Sequence, residues 1–394
     1  MIRVGIIGTG TIAGDHAQAI AMTRGGMILV AAADLLPERL QEFGSAFHVP
    51  HLYTDAGDLI ADRDVDLVAI TTPPAGHEAL SVAALDHGKY VFCEKPLAHS
   101  LASAVRIASA AARHPGRLAV SYQLRCHAPF RRLIWLCRNG WIGEIQSAAI
   151  ERHSYIPHSD HAAGGWWGSW SVAGGGVLLT QLIHELDLLL LTMGTPALVS
   201  AEVDTRYTGI ESEDYVRATF RFDGGRTASC VASVNSGSHS GRFAIQGNGG
   251  SIGLPWNFTT DDPSRLATAL KELDRALPET RPQSSSIVNR GLHALARRLG
   301  VREKPALTPH ARLYLEIARS MESGAPLPIP AADALGSLEL CMAVYEAAIT
   351  GEEIELPLDP ESAVYNGVSK ENYDGRRCAR ERTSGAGRNL QTKS

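Results

Sequence analysis

The sequence predicts an α/β protein: an N-terminal Rossmann fold on a parallel sheet, joined to a C-terminal α+β domain with a mainly antiparallel open sheet. Three observations lead there. Short apolar runs alternate with helical stretches from Ile2 to Tyr122, the pattern of a parallel sheet covered by helices on both faces. A Gly-rich turn, Gly8-Thr9-Gly10, follows the first run. Beyond Gln123 the alternation gives way to longer strand-like runs joined by tight turns.

Taken in order, Ile2–Ile7, Met27–Ala33, Asp66–Thr71, Tyr90–Cys93 and Leu118–Tyr122 read as strands. Helical patterns run from the Gly-rich turn to Met22, over Gly76–His87 and over Leu101–Arg113. After the crossover a helix is expected over Phe130–Asn139. Strands are then expected over Ile145–His153, Val199–Tyr207, Tyr215–Phe222, Arg226–Val234 and Arg242–Gly247. Asp223-Gly224-Gly225 marks a hairpin, because such turns need a positive φ that glycine tolerates. An apolar helix over Leu178–Met193 interrupts the strands, and helices near Pro309–Ser323 and Ala331–Thr350 close the globular part. The expected division is a cofactor domain over 1–122 and a substrate and oligomerisation domain over 123–364. Within the second, 257–305 reads as a polar, helical insertion, and 365–394 reads as a solvated basic tail with Lys370, Arg376, Arg377, Arg380 and Arg382.

Composition narrows the function. At 394 residues, 44% hydrophobic and 20% charged, the chain can bury two cores. A net charge of −5 argues against nucleic acid or an anionic membrane as the main partner. No apolar run approaches the ~20 residues that span a bilayer. The run Ile2–Ile7, broken by Gly5, reads as a strand and not as a leader. None of the six cysteines forms a CxxC pair, so a zinc site or redox dithiol has no support, and free thiols fit a reducing cytoplasm. His153, His158, Asp160 and His161 match no standard zinc spacing and read as a polar loop, so no metal is expected.

The Gly-rich turn carries the first functional reading. Gly8 permits a tight turn, Gly10 lets the backbone approach a pyrophosphate, and Ala13 takes the small position where helix and strand pack closely. The helix that opens at Thr11 and Ile12 offers free N–H groups and a partial positive charge to phosphates. Asp34 ends the second strand, where a carboxylate accepts hydrogen bonds from both ribose hydroxyls and repels a 2′-phosphate. The expected cofactor is NAD.

Two further segments carry chemistry. One is Thr71-Thr72-Pro73-Pro74-Ala75-Gly76-His77 with Val91-Phe92-Cys93-Glu94-Lys95-Pro96-Leu97. Lys95 falls at the C-terminal end of a parallel strand, where ligands bind in open α/β sheets. An ammonium there can stabilise an alkoxide, although lysines at exposed strand ends are also common. The other runs from Gly174-Gly175-Gly176 through Thr180 and Gln181 to His184, with Asp187 one helical turn on. A histidine on an apolar helix is often a core residue; the Gly-rich entry and Asp187 favour a site.

Together with the N-terminal fingerprint, these segments resemble the glucose–fructose oxidoreductase / inositol dehydrogenase / MocA family over nearly the whole chain. The resemblance implies reversible oxidation of a secondary alcohol on a sugar, cyclitol or related polyol. His184 then exchanges the proton and Lys95 stabilises the developing alkoxide. It implies cofactor contacts from Thr72, Pro73, His77, Glu94, Lys95 and Gln123. Substrate contacts are implied for Asp187, Thr180, Arg125, Gln123 and Trp167. Asp187 either orients the imidazole or binds a substrate hydroxyl; Arg125 either pairs with a substrate carboxylate or ties the domains together. Trp166, Trp167 and Trp170 form either a sugar-stacking wall or ordinary core. Many relatives carry Asp where this chain has Thr180, and Thr180 cannot raise the basicity of His184 by charge. A homodimer or homotetramer through the open sheet is also implied. Two rivals use the same scaffold: a glycoside-cleaving enzyme with transient NAD redox, and a non-catalytic NAD-dependent sensor.

Overall fold

The computed structural model describes residues 1–155, 166–206, 210–281 and 307–374. Its first sheet contains β1 (Ile2–Ile7), β2 (Met27–Ala33), β3 (His51–Tyr53), β4 (Leu67–Ile70), β5 (Tyr90–Cys93) and β6 (Leu118–Val120). The order is β3-β2-β1-β4-β5-β6, and every pairing is parallel. Strand order reverses between β1 and β4, so the crevice at their C-terminal ends is the switch point where ligands bind in such sheets. The strands are buried on both faces, as their unbroken apolar runs require.

The connecting helices are α1 (Thr11–Met22), α2 (Pro37–Phe47), α3 (Ala56–Ala61), α4 (His77–Asp86) and α5 (Leu101–Arg113). Pro37 at the first turn and a left-handed His48 at the end bound α2. Ser100 caps α5 by accepting from the Ser103 amide. The unit α2–β3–α3 lies in a stretch where no elements are expected from the sequence. β3 and α3, of three and six residues, are too short for their periods to stand out, whereas α2, of eleven residues, is a full helix those expectations lack.

The second sheet has eight strands in the order β13-β12-β11-β7-β10-β9-β8-β14. These are β7 (Ile145–Tyr155), β8 (Leu198–Asp204), β9 (Tyr215–Arg221), β10 (Thr227–Ser233), β11 (Asn235–Gly247), β12 (Gly250–Leu254), β13 (Asn257–Thr260) and β14 (Ile354–Glu355). All its pairs are antiparallel except β7 with β10. The predicted hairpin at Asp223-Gly224-Gly225 joins β9 to β10, with φ of 74° and 77° at the two glycines. One face packs on α6 (Ala128–Arg138) and on α7 (Ile183–Met193), which follows a π-helical turn over Leu178–Leu182.

Three boundaries differ from expectation. Asn257–Thr260 is a sheet strand and Pro263–Ala276 is a capped helix (α8), so the start of the supposed insertion belongs to the fold. Residues 282–306 lie outside the described part. The helices α9 (Pro309–Ser323) and α10 (Ala331–Thr350) fall where predicted, but α9 packs on α1, and α10 packs on α5 as well as on β8 and α7 of the second domain. Between them Leu327 and Ile329 bond to Gly116 and Val120, covering the open edge of β6. The first residues of the supposed tail are also built in: Val368 and Tyr373 are buried, and the Tyr373 hydroxyl meets Thr205 at 2.7 Å. Residues 375–394 are outside the described part. No described helix is long and apolar enough to cross a membrane.

Candidate active site

The cofactor cradle forms at the β1–α1 turn. Gly8 has φ +91°, and a Cβ there would sit 2.9 Å from the Thr72 backbone. A Cβ on Gly10 would meet nothing within 4 Å, so that face is open to a ligand. Gly10 precedes α1 without any side-chain cap, leaving the first amides of Thr11 and Ile12 for a phosphate. Asp34 is fixed beside them: its Oδ2 accepts from the Thr9 amide (2.7 Å) and hydroxyl (2.8 Å), and its Oδ1 accepts from the Leu36 amide. Burial alone would raise its pKa, but these donors outweigh it and the carboxyl lies below its ordinary value. The turn therefore presents free amides and an ionised acid, which is the donor set an NAD pyrophosphate and ribose need. Thr9 was not singled out from the sequence, although its place inside the Gly-x-Gly turn puts it next to the acid.

Lys95 follows β5, and its peptide with Pro96 is cis. Its Nζ donates to the Thr180 carbonyl at 2.6 Å. Burial lowers the ammonium's pKa below the ordinary lysine value. Thr180 lies in the π-helical turn, and its hydroxyl donates to the Gly176 carbonyl at 2.7 Å. The hydroxyl's proton is thereby committed to the backbone, and the Thr180 carbonyl is the group that meets Lys95.

His184 begins the next turn and is 6% exposed, with a Nδ1 that has no partner among the described residues. The Tyr122 ring meets it edge-on at 5.9 Å. Burial, and then the Lys95 charge, hold the imidazole well below its usual pKa. It is neutral near pH 7 and able to take a proton. Nearby, the buried Gln123 Oε1 and Thr72 Oγ1 also lack partners among the described residues.

Several expected contacts resolve differently. Arg125 grips Asp187 through two bonds (2.7 and 2.6 Å) and Asp333 through a third (2.6 Å), while the Ser337 hydroxyl donates to Asp187 at 3.0 Å. Arg125 is thus engaged by two carboxylates of the second domain, and Asp187, held by Arg125 and Ser337, makes no hydrogen bond to His184 among the described residues. His77 is fully buried, its nitrogens against the Pro96 carbonyl (2.9 Å) and the Thr72 carbonyl (2.8 Å). It braces the two loops against each other and has no surface for a cofactor. The Glu94 carboxylate is held by His16 Nε2 at 2.9 Å and by the Lys95 amide at 3.1 Å. His16, followed by His310, keeps it well below the carboxylate range against the opposing effect of burial. Trp170 is core, edge-on to Tyr345 and tilted against Tyr373, with its indole N–H on the Glu211 carbonyl. Trp166 is exposed and Trp167 half-buried, so the supposed wall shrinks to two rings. His158, Asp160 and His161 lie outside the described residues.

The sequence reading missed Arg152, Glu185, His16 and Glu213. Arg152 bonds Glu185 (3.0 Å) and Gln181 (3.1 Å) beside His184. Nothing in their local pattern marks them, since the pairings join residues 29 or more apart.

Residues 2–122 match the family model described as oxidoreductase family, NAD-binding Rossmann fold, and residues 130–253 match the GFO/IDH/MocA C-terminal domain. A 1,5-anhydro-D-fructose reductase from Ensifer adhaerens is 30% identical over 68% of this chain and 80% of its own length. The chain belongs to the GFO/IDH/MocA family. Inositol 2-dehydrogenases from Acidothermus cellulolyticus and Burkholderia multivorans are 31% and 33% identical over 48% and 51% of this chain. The match spans about half of those two relatives, 52% and 57%. Among solved structures, the WlbA dehydrogenase of Bordetella pertussis, in complex with NADH and UDP-GlcNAcA, superposes with TM-score 0.76 at 23% identity. That match covers 91% of this chain and 98% of the WlbA chain. A levoglucosan dehydrogenase bound to NADH gives 0.74 at 20% identity, over 91% and 100% of the two chains. At such identities the likeness establishes the shared GFO/IDH/MocA fold.

Proposed function

We propose that this chain is an NAD-dependent dehydrogenase that oxidises a secondary alcohol of a sugar, cyclitol or related polyol. The observation that carries the reading is the convergence of Lys95 and the His184 helix at the C-terminal edge of the parallel sheet, through the 2.6 Å bond to Thr180. The names of the relatives support the substrate class: they act on inositol or on anhydro sugars.

A nicotinamide cofactor held at the Gly8–Ile12 turn and Asp34 would supply the hydride acceptor for oxidation of the carbinol carbon. The chain's own residues handle the proton. Neutral His184 takes it from the hydroxyl, while the Lys95 ammonium stabilises the negative charge that builds on oxygen. The products are the ketone, NADH and one proton released to solvent. Gln123 and Thr72, with unspent polar atoms, are the groups we assign to ligand contacts. We assign self-association to the open face of the second sheet.

The test is NADH appearance at 340 nm with a panel of cyclitols, sugars, anhydro sugars and sugar acids, run beside a glycoside panel with catalytic NAD. NADH accumulation with a polyol is the expected result. Cleavage of a glycoside without net NADH, or cofactor binding without turnover of any panel member, would sink the reading. With an active substrate, Lys95→Ala should lower kcat about 100-fold or more while the Kd for NAD changes little.

A further inference from the structure

The helix that carries Thr180 and His184 starts in an unusual way. Gly174, Gly175 and Gly176 precede it, and none can take a side chain. A Cβ would sit 2.3 Å from the His99 carbonyl at Gly174, 2.0 Å from the Tyr345 hydroxyl at Gly175 and 1.7 Å from the Glu213 carbonyl at Gly176. The space at Gly176 is taken by Glu213, fully buried in the loop between β8 and β9. Its Oε2 accepts from the Gly176 amide (2.8 Å). Its Oε1 accepts from the Leu178 amide (2.9 Å) and the Tyr345 hydroxyl (2.9 Å). Its backbone carbonyl accepts from the Val177 amide (3.1 Å).

We propose that Glu213 is a positioning residue for the catalytic pair: its ionised side chain and its carbonyl together cap three successive amides and set the turn that carries Thr180 and His184. The connection is short. The Gly176 amide is held by Glu213, and the Gly176 carbonyl accepts from the Thr180 amide (3.0 Å) and hydroxyl (2.7 Å). The Thr180 carbonyl then receives Lys95 Nζ. A negative charge at a helix start is favourable, and an amide that both donates and accepts is polarised along the chain.

The capping requires the carboxylate. A carboxylic acid carries a proton on one of its two oxygens. The Tyr345 hydroxyl can turn to accept it, but the Gly176 and Leu178 amides lose their charged acceptor and the bonds that hold the turn weaken. Burial moves Glu213 up to about 7 despite its hydrogen bonds. The other titratable groups facing it are Tyr345 and Cys341 on α10, both held neutral by burial. The adjacent Asp214 is turned to the Arg206 amide at 2.8 Å. Protonation of one buried acid therefore loosens the catalytic turn near neutral pH.

This inference rests on the dehydrogenase reading for its kinetic arm only. The test compares wild type, E213Q and Y345F by pH profiles of kcat/KM. Hydrogen–deuterium exchange across 174–182, corrected for intrinsic rates, runs beside them. Wild type should lose activity as pH falls through about 7. E213Q should have kcat reduced about 10-fold or more on the alkaline side, an unchanged Kd for NADH, and no acid limb near 7. Its 176–178 amides should exchange about 10-fold faster. Y345F keeps the charge and removes one donor, so its acid limb should move up by about one unit. A flat wild-type profile across that range, or an E213Q with wild-type kcat and exchange, overturns the proposal. So does a folded Y345F with an unmoved limb. If wild type turns over no polyol, the dehydrogenase reading falls, while the exchange arm still decides whether Glu213 holds the turn.

Discussion

In the proposed reaction Lys95 and His184 divide the work, because burial acts on them in the same direction with different consequences. Both pKa values are lowered, so His184 becomes a neutral base while Lys95 stays cationic at neutral pH but loses its charge earlier than a free lysine. The active form needs the ammonium. Activity should therefore fall as pH rises through the lowered Lys95 value, giving an alkaline limb below the ordinary 10.5. Lys95→Arg, whose charge survives at any accessible pH, should lose that limb even if its rate is low; an identical limb in both proteins would refute the assignment. On the proposed reading Asp34 serves the cofactor alone. Asp34→Ala should raise the Kd for NAD about 10-fold or more and narrow the preference over NADP, with kcat at saturation little changed. Titration with each cofactor checks this.

At the scale of elements, the catalytic helix depends on its entry. Gly176→Ala would press a methyl against a backbone carbonyl that cannot move without breaking the β8–β9 loop. The expected loss is about 3 kcal/mol or more, measured by urea unfolding. Glu213 should make stability and activity diverge. Its folded pKa is raised, so the acid form favours the fold. That contribution is present below the ordinary carboxylate value and is lost as pH rises through about 7. The stability of wild type relative to E213Q should therefore decline from about pH 5 to about pH 8, while relative activity rises. Melting curves across that range decide it. The α1 helix is joined to the catalytic strand in a comparable way. His16 lies between the Tyr314 hydroxyl on α9 and the carboxylate of Glu94, so the helix under the phosphates and the strand bearing Lys95 share one buried bond.

At the scale of the whole molecule, an ion-pair knot joins the crossover after β6 to two helices of the second domain. Arg125 at the crossover, Asp187 on the catalytic helix, and Asp333 and Ser337 on α10 come from three distant parts of the chain. Asp187 is almost fully buried and Arg125 is 15% exposed. Arg125→Met strands a buried carboxylate and should cost about 3 kcal/mol, the low end for such pairs because Arg125 is partly solvated. Asp187→Asn in the same background should recover part of the loss. The open face of the second sheet presents small, level side chains such as Ser147, Ala149, Thr227 and Ser229. If copies of the chain associate there, Ser229→Arg should yield a smaller species by light scattering, with unfolding midpoint little changed at high concentration.

The periodic features were legible in the sequence because they are local. Alternating apolar runs, the Gly8-Thr9-Gly10 turn, Asp34 at a strand end and Lys95 after β5 need only nearby residues to acquire their meaning, and family resemblance added His184. Short elements such as β3 and α3 escaped because three and six residues repeat their periods too few times to stand out. What the tertiary structure alone decided is which polar groups remain available. Arg125, Asp187, His77, Glu94 and the Thr180 hydroxyl all seemed candidates for ligands, and folding gave each a protein partner. Glu213, unremarkable in its loop, became the cap of the catalytic helix. Sequence determines which chemistry a side chain can perform. Hydrogen bonds across tens to hundreds of residues determine whether that chemistry is already spent, and burial sets the cost of leaving it unspent.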